Sequence, residues 1–352
     1  MRGTGGGSAK RLPLPPLWAM VGSCILALVV ALGMMAGSGG EVLGVWFLAV
    51  AAALPPLTAV VWAIDKRPGW LSWRRASVTF SAGATFSVLL ALLLEILVPY
   101  VLFWVLLDVG TPVIRALEDL LDLFIDGQVA RTLTSSGFLL AVFELAVVAP
   151  LIEELAKSLV VLPLLKGLQS WRDAFLLGAV AGAGFAAMEN VVYALFGGQY
   201  WAGILAVRAL GAAVHPLCSG LAAVAWHGVL NRESSDQRGW IGGFGAAVGL
   251  HGLWNGGLVV WLALAGTAIT GPGTWTTNVL GYGVAAGLLA LIALEGTALA
   301  WGMRALSRRL SGAEPPMPVP WEDVPPERAV AVWAVVCLLV LLPVGLAMMG
   351  GR

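Results

Sequence analysis

The segment 153-EELAK-157 places two glutamates and a lysine inside an otherwise apolar stretch, 137–165. An ionised side chain near the centre of a bilayer costs roughly 2.5–3.5 kcal/mol on insertion scales, so such groups need partners or a water-filled cavity. More of them follow in the next apolar stretches: Glu189, then Arg208 and His215, then His251. Residues three or four apart share a helical face, so Lys157 can neutralise either Glu153 or Glu154 while the other carboxylate points elsewhere. By the same spacing His215 pairs with Ser219, and His251 with Asn255. Two histidines, a carboxylate and a further free carboxylate make up the inventory of a metal-assisted hydrolase: three ligands, an open water position and a general base. The same groups at mid-membrane would also serve a proton- or cation-coupled transporter, and spacing alone does not separate the two. Each group also has a plainer reading. Lys157 and one glutamate could form a register-setting ion pair, and a single membrane histidine or Glu189 could bond to a neighbouring helix. Convergence of several costly groups favours a site. His227 is assigned to packing, Arg208 to snorkelling or a carboxylate pair, and Glu95, Glu144 and Glu295 to helix ends or interfaces.

These residues must be carried by helices in lipid. Of the 352 residues, 59% are hydrophobic and 11% charged, and the mean hydropathy is +0.89, against about 25% charged residues in soluble domains. The chain therefore reads as an all-α, polytopic membrane protein with the lipid bilayer as its solvent, since long unbroken apolar stretches must satisfy their backbone bonds internally. Zero formal net charge gives no ground for a nucleic-acid partner. Cys24, Cys218 and Cys337 all lie in apolar runs and show neither disulfide nor CxxC spacing.

Hydropathy places nine transmembrane helices at about 17–37, 43–63, 78–107, 137–165, 173–197, 201–229, 240–265, 277–303 and 329–349. An N-in, C-out orientation follows from the basic residues: Arg2, Lys10, Arg11, Lys66, Arg67, Arg74, Arg75, Lys166, Arg172, Arg232, Arg238, Arg304, Arg308, Arg309 and Arg328 fall on the inner side, against Arg115, Arg131 and Arg352 outside. The first segment is read as an uncleaved helix. Residues 109–136 mix acidic residues with Leu and Ile as an outer amphipathic helix, and 311–328 form a Pro-rich cytoplasmic linker. Three regions result: 1–136, three helices and the amphipathic segment; 137–265, a four-helix catalytic core; and 266–352, two helices with the linker. Gly178 and Gly182 make a GxxxG, and Gly245, Gly249, Gly252 and Gly256 line the seventh helix, permitting close backbone approach. Pro150 and Pro216 would loosen the helix beside the key residues.

The series 153-EELAK-157, 185-FAAME-189, 215-HPLCS-219 and 251-HGLWN-255, on successive helices over about 145–256, resembles the PrsW family of intramembrane proteases, relatives of the type II CAAX prenyl endopeptidases. The resemblance implies a metalloprotease with a divalent metal, zinc, in which Glu153 and Glu154 are the candidate bases that activate water. It further implies Glu189, His215 and His251 as the metal-ligating or water-positioning set, Asn255 as an oxyanion donor or supporting residue, and Lys157 as the charge partner. CAAX endopeptidases carry a histidine where Glu189 stands, which favours the PrsW branch. The implied substrate is a single-span membrane protein such as an anti-sigma factor, and the implied location a bacterial cytoplasmic membrane. A transporter using the same cluster, or a catalytically silent membrane scaffold, stand as the alternatives.

Overall fold

The computed structural model of the chain describes residues 15–36, 41–64, 73–98, 135–165, 168, 170–231, 237–270 and 275–309. Among these, all regular structure is helical. Helix α1 (Leu17–Ala36) and α2 (Glu41–Ile64) come first. Helix α3 begins as Trp73–Ala82, passes through a π-turn at Gly83–Ser87 and continues to 98. Helix α4 begins as Ser136–Phe143, passes through a second π-turn at Glu144–Val148 and continues as Ala149–Leu165. Then follow α5 (Trp171–Phe196), α6 (Trp201–Leu210), α7 (Val214–Leu230), α8 (Gln237–Thr270) and α9 (Trp275–Arg309). Five of the described helices are long and apolar enough to cross a membrane, and a sixth span results if α6 and α7 are taken together. Their outward faces carry exposed Ile25, Leu26, Trp46, Phe86, Ile96 and Leu294, the surface a lipid-facing bundle presents.

Helix α5 is the hub. Eighty-nine per cent of its apolar window is buried, and it packs against α2, α3, α4 and α7. Its sequence explains why: between Gly178 and Ala187 every residue except Val180 and Phe185 is Gly or Ala, so neighbouring backbones come close. A Cβ at Gly178 would strike the Ser219 carbonyl oxygen, and one at Gly182 the His215 carbonyl oxygen. The α5 GxxxG is thus the seat of the 215-HPLCS-219 turn. On the opposite side, a Cβ at Gly184 would collide with the Phe80 carbonyl of α3, and one at Gly83 with the Ala181 carbonyl of α5.

Prolines shape the helices around this hub. Proline offers no N–H to a preceding carbonyl, and Pro150 follows just after the α4 π-turn that contains Ala146. Gly252, the neighbour of His251, packs directly on the Ala146 carbonyl oxygen, where any Cβ would clash. In α2, Pro55 and Pro56 free the carbonyls of Ala51 and Ala52. The Cys24 thiol approaches the first at 3.6 Å, and the Asn190 amide donates to the second at 3.0 Å. At the C-terminal end of α2, Arg304 of α9 donates to the Trp62 carbonyl at 2.9 Å and stacks 4.7 Å from the Trp62 ring, closing an otherwise open helix end.

The single helix expected over 201–229 is instead two, α6 and α7, meeting at 44°. The physical reason is local. Pro216 has no N–H for Ala212, the turn is held by tighter bonds from Ala212 N to Ala209 O (3.3 Å) and Val214 N to Gly211 O (2.9 Å), and only a residue without a Cβ fits at Gly211 against the Trp254 indole. Pro216 thereby falls in the first turn of α7, where its missing donor costs nothing. The other expected helices correspond to described ones, with α8 and α9 longer at both ends. The end of the third helix beyond 98, the amphipathic stretch up to 134, the Pro-rich linker and the ninth helix at 329–349 lie outside the described residues.

The hub makes a direct prediction. Gly182→Val forces a branched side chain into the His215 backbone, and overpacking of this kind costs about 1–3 kcal/mol or more, so the thermal midpoint of the purified protein in detergent falls. Gly22→Val in α1, where a Cβ meets nothing within 4 Å, leaves the midpoint unchanged.

Candidate metal centre

Helices α4, α5, α7 and α8 each turn ionisable side chains into one interior space. Lys157, the bulkiest fully buried side chain among the described residues, is its centre. An ammonium has three donors, and all three are used: Nζ lies 3.0 Å from Glu153 Oε2, 2.8 Å from Glu154 Oε1 and 2.9 Å from His215 Nδ1. The ammonium also packs against an aromatic face, since Nζ sits 4.1 Å from the centre of the Phe185 ring. The i,i+3 and i,i+4 spacing read from EELAK is therefore used twice, because Lys157 bridges both glutamates.

The tautomers of the two histidines follow from their neighbours. An ammonium has no lone pair to give, so His215 Nδ1 accepts from Lys157. In the neutral ring the proton is then on Nε2, which faces Glu189 Oε2 at 2.9 Å. His251 is arranged the other way round: Nδ1–H donates to Glu154 Oε1 at 3.0 Å, and the Nε2 lone pair is buried without a hydrogen-bond partner. That orphaned nitrogen lies 3.7 Å from Glu153 Oε2, and His215 Nδ1 lies 3.6 Å from the same oxygen. The two rings meet edge to face, 4.7 Å between centroids.

Three donor atoms therefore converge, one each from Glu153, His215 and His251, all within 4.8 Å of one another. One carboxylate and two imidazole nitrogens suit a catalytic divalent ion with an open position: the His251 Nε2 lone pair is unpartnered, and the His215 Nδ1 lone pair, which accepts from Lys157, would have to pass from the ammonium to the ion. Each imidazole has its remaining N–H held by a carboxylate, Glu189 for His215 and Glu154 for His251, the arrangement that fixes metal-binding histidines elsewhere. Counting Glu153, Glu154 and Glu189 as negative and Lys157 and Arg208 as positive, the cluster has one formal negative charge in excess, which also suits a cation.

The glutamates differ in how fully they are occupied. Glu154 has Oε1 between Lys157 and His251 and Oε2 accepting from Ser219 Oγ at 3.1 Å. Glu189 forms an ion pair with Arg208, whose Nη2 also lies 3.5 Å from His215 Nε2. Glu153 uses only Oε2, and no hydrogen bond to its Oε1 occurs among the described residues. Side-chain exposure is graded, from nil at Lys157, Glu154 and His251 to 6–7% at Glu153 and His215 and 15% at Glu189 and Arg208. The cluster opens on the Glu189–Arg208 side.

Asn255 lies one turn beyond His251 on α8, half-buried, and makes no hydrogen bond to the cluster among the described residues. His227 Nε2–H donates to the Leu168 carbonyl at 2.8 Å and meets the Trp171 ring edge to face at the far end of α7. Arg208 pairs with a carboxylate rather than snorkelling, and its Nε donates to Asn190 Oδ1. Sequence reasoning does not single out Asn190, although an Asn directly after Glu189 in an apolar helix is the signal available.

Lys157→Met leaves two buried carboxylates side by side with no cation. Removing one partner of a buried pair costs about 3–5 kcal/mol, so this variant unfolds at markedly lower temperature. Adding Glu153→Gln to Lys157→Met recovers part of the loss. A Lys157→Met protein with the wild-type melting profile would contradict the central role of the ammonium.

A family model for PrsW family intramembrane metalloproteases matches residues 71–286, well over half of the chain and more than the 145–256 segment that the motifs mark. No curated protein and no solved structure matches the chain in the corresponding comparisons. The matched segment takes in α4, α5, α7 and α8 with their buried Glu–His–His group, and the chain belongs to the PrsW family of intramembrane metalloproteases.

Proposed function

We propose that this protein hydrolyses a peptide bond of a single-span membrane protein, with Glu153, His215 and His251 as the working residues and zinc as the metal they hold. The observation that carries the proposal is the closeness of His215 Nδ1 and His251 Nε2 to Glu153, each ring held from behind by its own carboxylate. When bound, a divalent metal supplies positive charge that polarises the scissile carbonyl and acidifies water. The protein's residues do the rest. Glu153 Oε1, free of hydrogen bonds, takes the proton of the attacking water and returns it to the leaving amine. Glu154, with both oxygens engaged, orients His251 and anchors Lys157. Glu189, which the motif series places among the metal ligands, orients His215 instead. Asn255 offers its amide to the developing oxyanion.

A helical peptide bond is shielded by its own turn, so the substrate segment unwinds before cleavage and enters on the Glu189–Arg208 side, where the cluster is least buried. The family resemblance supports a membrane-anchored regulator of the anti-sigma type as substrate, and the distribution of Lys and Arg supports an N-in, C-out chain of nine spans in a bacterial cytoplasmic membrane.

Glu153→Gln and His251→Ala abolish cleavage while the protein still inserts and melts cooperatively. Glu154→Gln and Glu189→Gln weaken zinc binding about 10–100-fold, the usual cost of losing a histidine-orienting carboxylate. Comparative membrane proteomics of wild type and Glu153→Gln shows one single-span protein accumulating uncut in the variant. Normal processing of all single-span proteins by Glu153→Gln removes Glu153 as the base.

A further inference from the structure

The orientation of His215 is secured by a chain of contacts that begins in α2, outside the segment matched by the family. Ordinarily the Ala52 carbonyl would accept from the N–H of residue 56, but that residue is proline. The pyrrolidine ring also crowds this carbonyl and turns it away from the helix axis. The freed oxygen accepts from Asn190 Nδ2 at 3.0 Å. That contact settles which way the Asn190 amide faces, because with Nδ2 on a carbonyl, Oδ1 must face the other way. There it accepts from Arg208 Nε. The guanidinium is held from a third side by the Tyr193 ring, 4.5 Å from Cζ, and its Nη2 binds Glu189 Oε2. The same Glu189 oxygen accepts from His215 Nε2–H at 2.9 Å, which leaves Nδ1 as the acceptor of the ring, on Lys157 and beside Glu153.

We propose that Asn190 and Pro56 are positioning residues for His215, acting through Arg208 and Glu189, and that α2 is thereby a working part of the catalytic centre. Their relevance to catalysis rests on reading His215 as one of the three donors. A built-in control lies one residue away: Pro55 frees the Ala51 carbonyl in the same manner, but that oxygen faces the Cys24 thiol of α1 at 3.6 Å and has no link to the cluster. A purely structural proline pair would treat the two positions alike.

The chain has three histidines, so the full-length protein labelled with ring-15N histidine in lipid vesicles gives a small set of signals, assignable by single His→Gln variants. His215 reads as the Nε2–H tautomer in wild type. Asn190→Leu, which removes both bonds at once, and Pro56→Ala, which restores the N–H that competes for the Ala52 carbonyl, each shift the His215 signals while those of His227 stay in place as the marker of an intact fold. Pro55→Ala leaves all the signals unchanged, and Pro56→Ala adds nothing in the Asn190→Leu background. Zinc affinity, measured by competition with a chromophoric chelator, falls about 10-fold in Asn190→Leu and Pro56→Ala, the low end of what losing a residue behind a metal-bound histidine costs. Unmoved His215 signals in Asn190→Leu overturn the proposal, and unmoved signals in Pro56→Ala alone overturn the part assigned to α2. Should Asn190→Leu also displace His227, Pro56→Ala decides. If the wild-type protein takes up no zinc, the metal reading of the site falls, and the His215 signals still decide whether the α2 strut exists.

Discussion

A buried ammonium is the constraint on which this bundle depends. Lys157 is fully buried, and an unpartnered charge in an apolar interior is too costly to keep. It therefore gathers acceptors from its own helix and from α7, and those acceptors are groups of the candidate centre. Glu153, Glu154 and His215 all touch the same nitrogen. Charge neutralisation and site assembly are one event here. The second cation, Arg208, does for Glu189 what Lys157 does for the other two carboxylates.

Bringing four polar helix faces to one point requires close backbones, and the sequence meets that need with small residues and prolines in complementary places. Gly178 and Gly182 let α7 lie against α5 at the level of His215 and Ser219, while Gly252 lets α8 lie against the Ala146 carbonyl. At Pro55 and Pro56 a neighbouring group comes up to the carbonyl that the proline leaves without its donor. Such contacts tie the positions of His215 and His251 to backbone atoms rather than to flexible side chains.

Much of this arrangement is legible in the amino-acid sequence. The helices follow from hydropathy, and the costly residues Glu153, Glu154, Lys157, Glu189, His215 and His251 stand out because nothing apolar explains them. Pairing is what the linear chain conceals. Hydropathy runs unbroken through 201–229, so neither the 44° bend nor the return of Arg208 onto Glu189 is visible there. The π-turns leave no periodic mark that a span-level reading detects. That Glu153 groups with His215 and His251, while Glu189 lies on the Nε2 side of His215, depends on side-chain direction, which spacing along separate helices does not carry. Asn190 is, along the chain, merely the neighbour of a conspicuous glutamate, and its importance emerges only because α2 passes beside it.

The three-way grip of Lys157 also bears on the order of events in the life of the molecule. Small zinc domains stay unfolded until metal arrives, because the ion is what draws their ligands together. Here a resident cation already holds Glu153 and His215 in register. A bundle gathered in this way folds around its own ammonium, so that holding the fold together and taking up an ion are separable tasks.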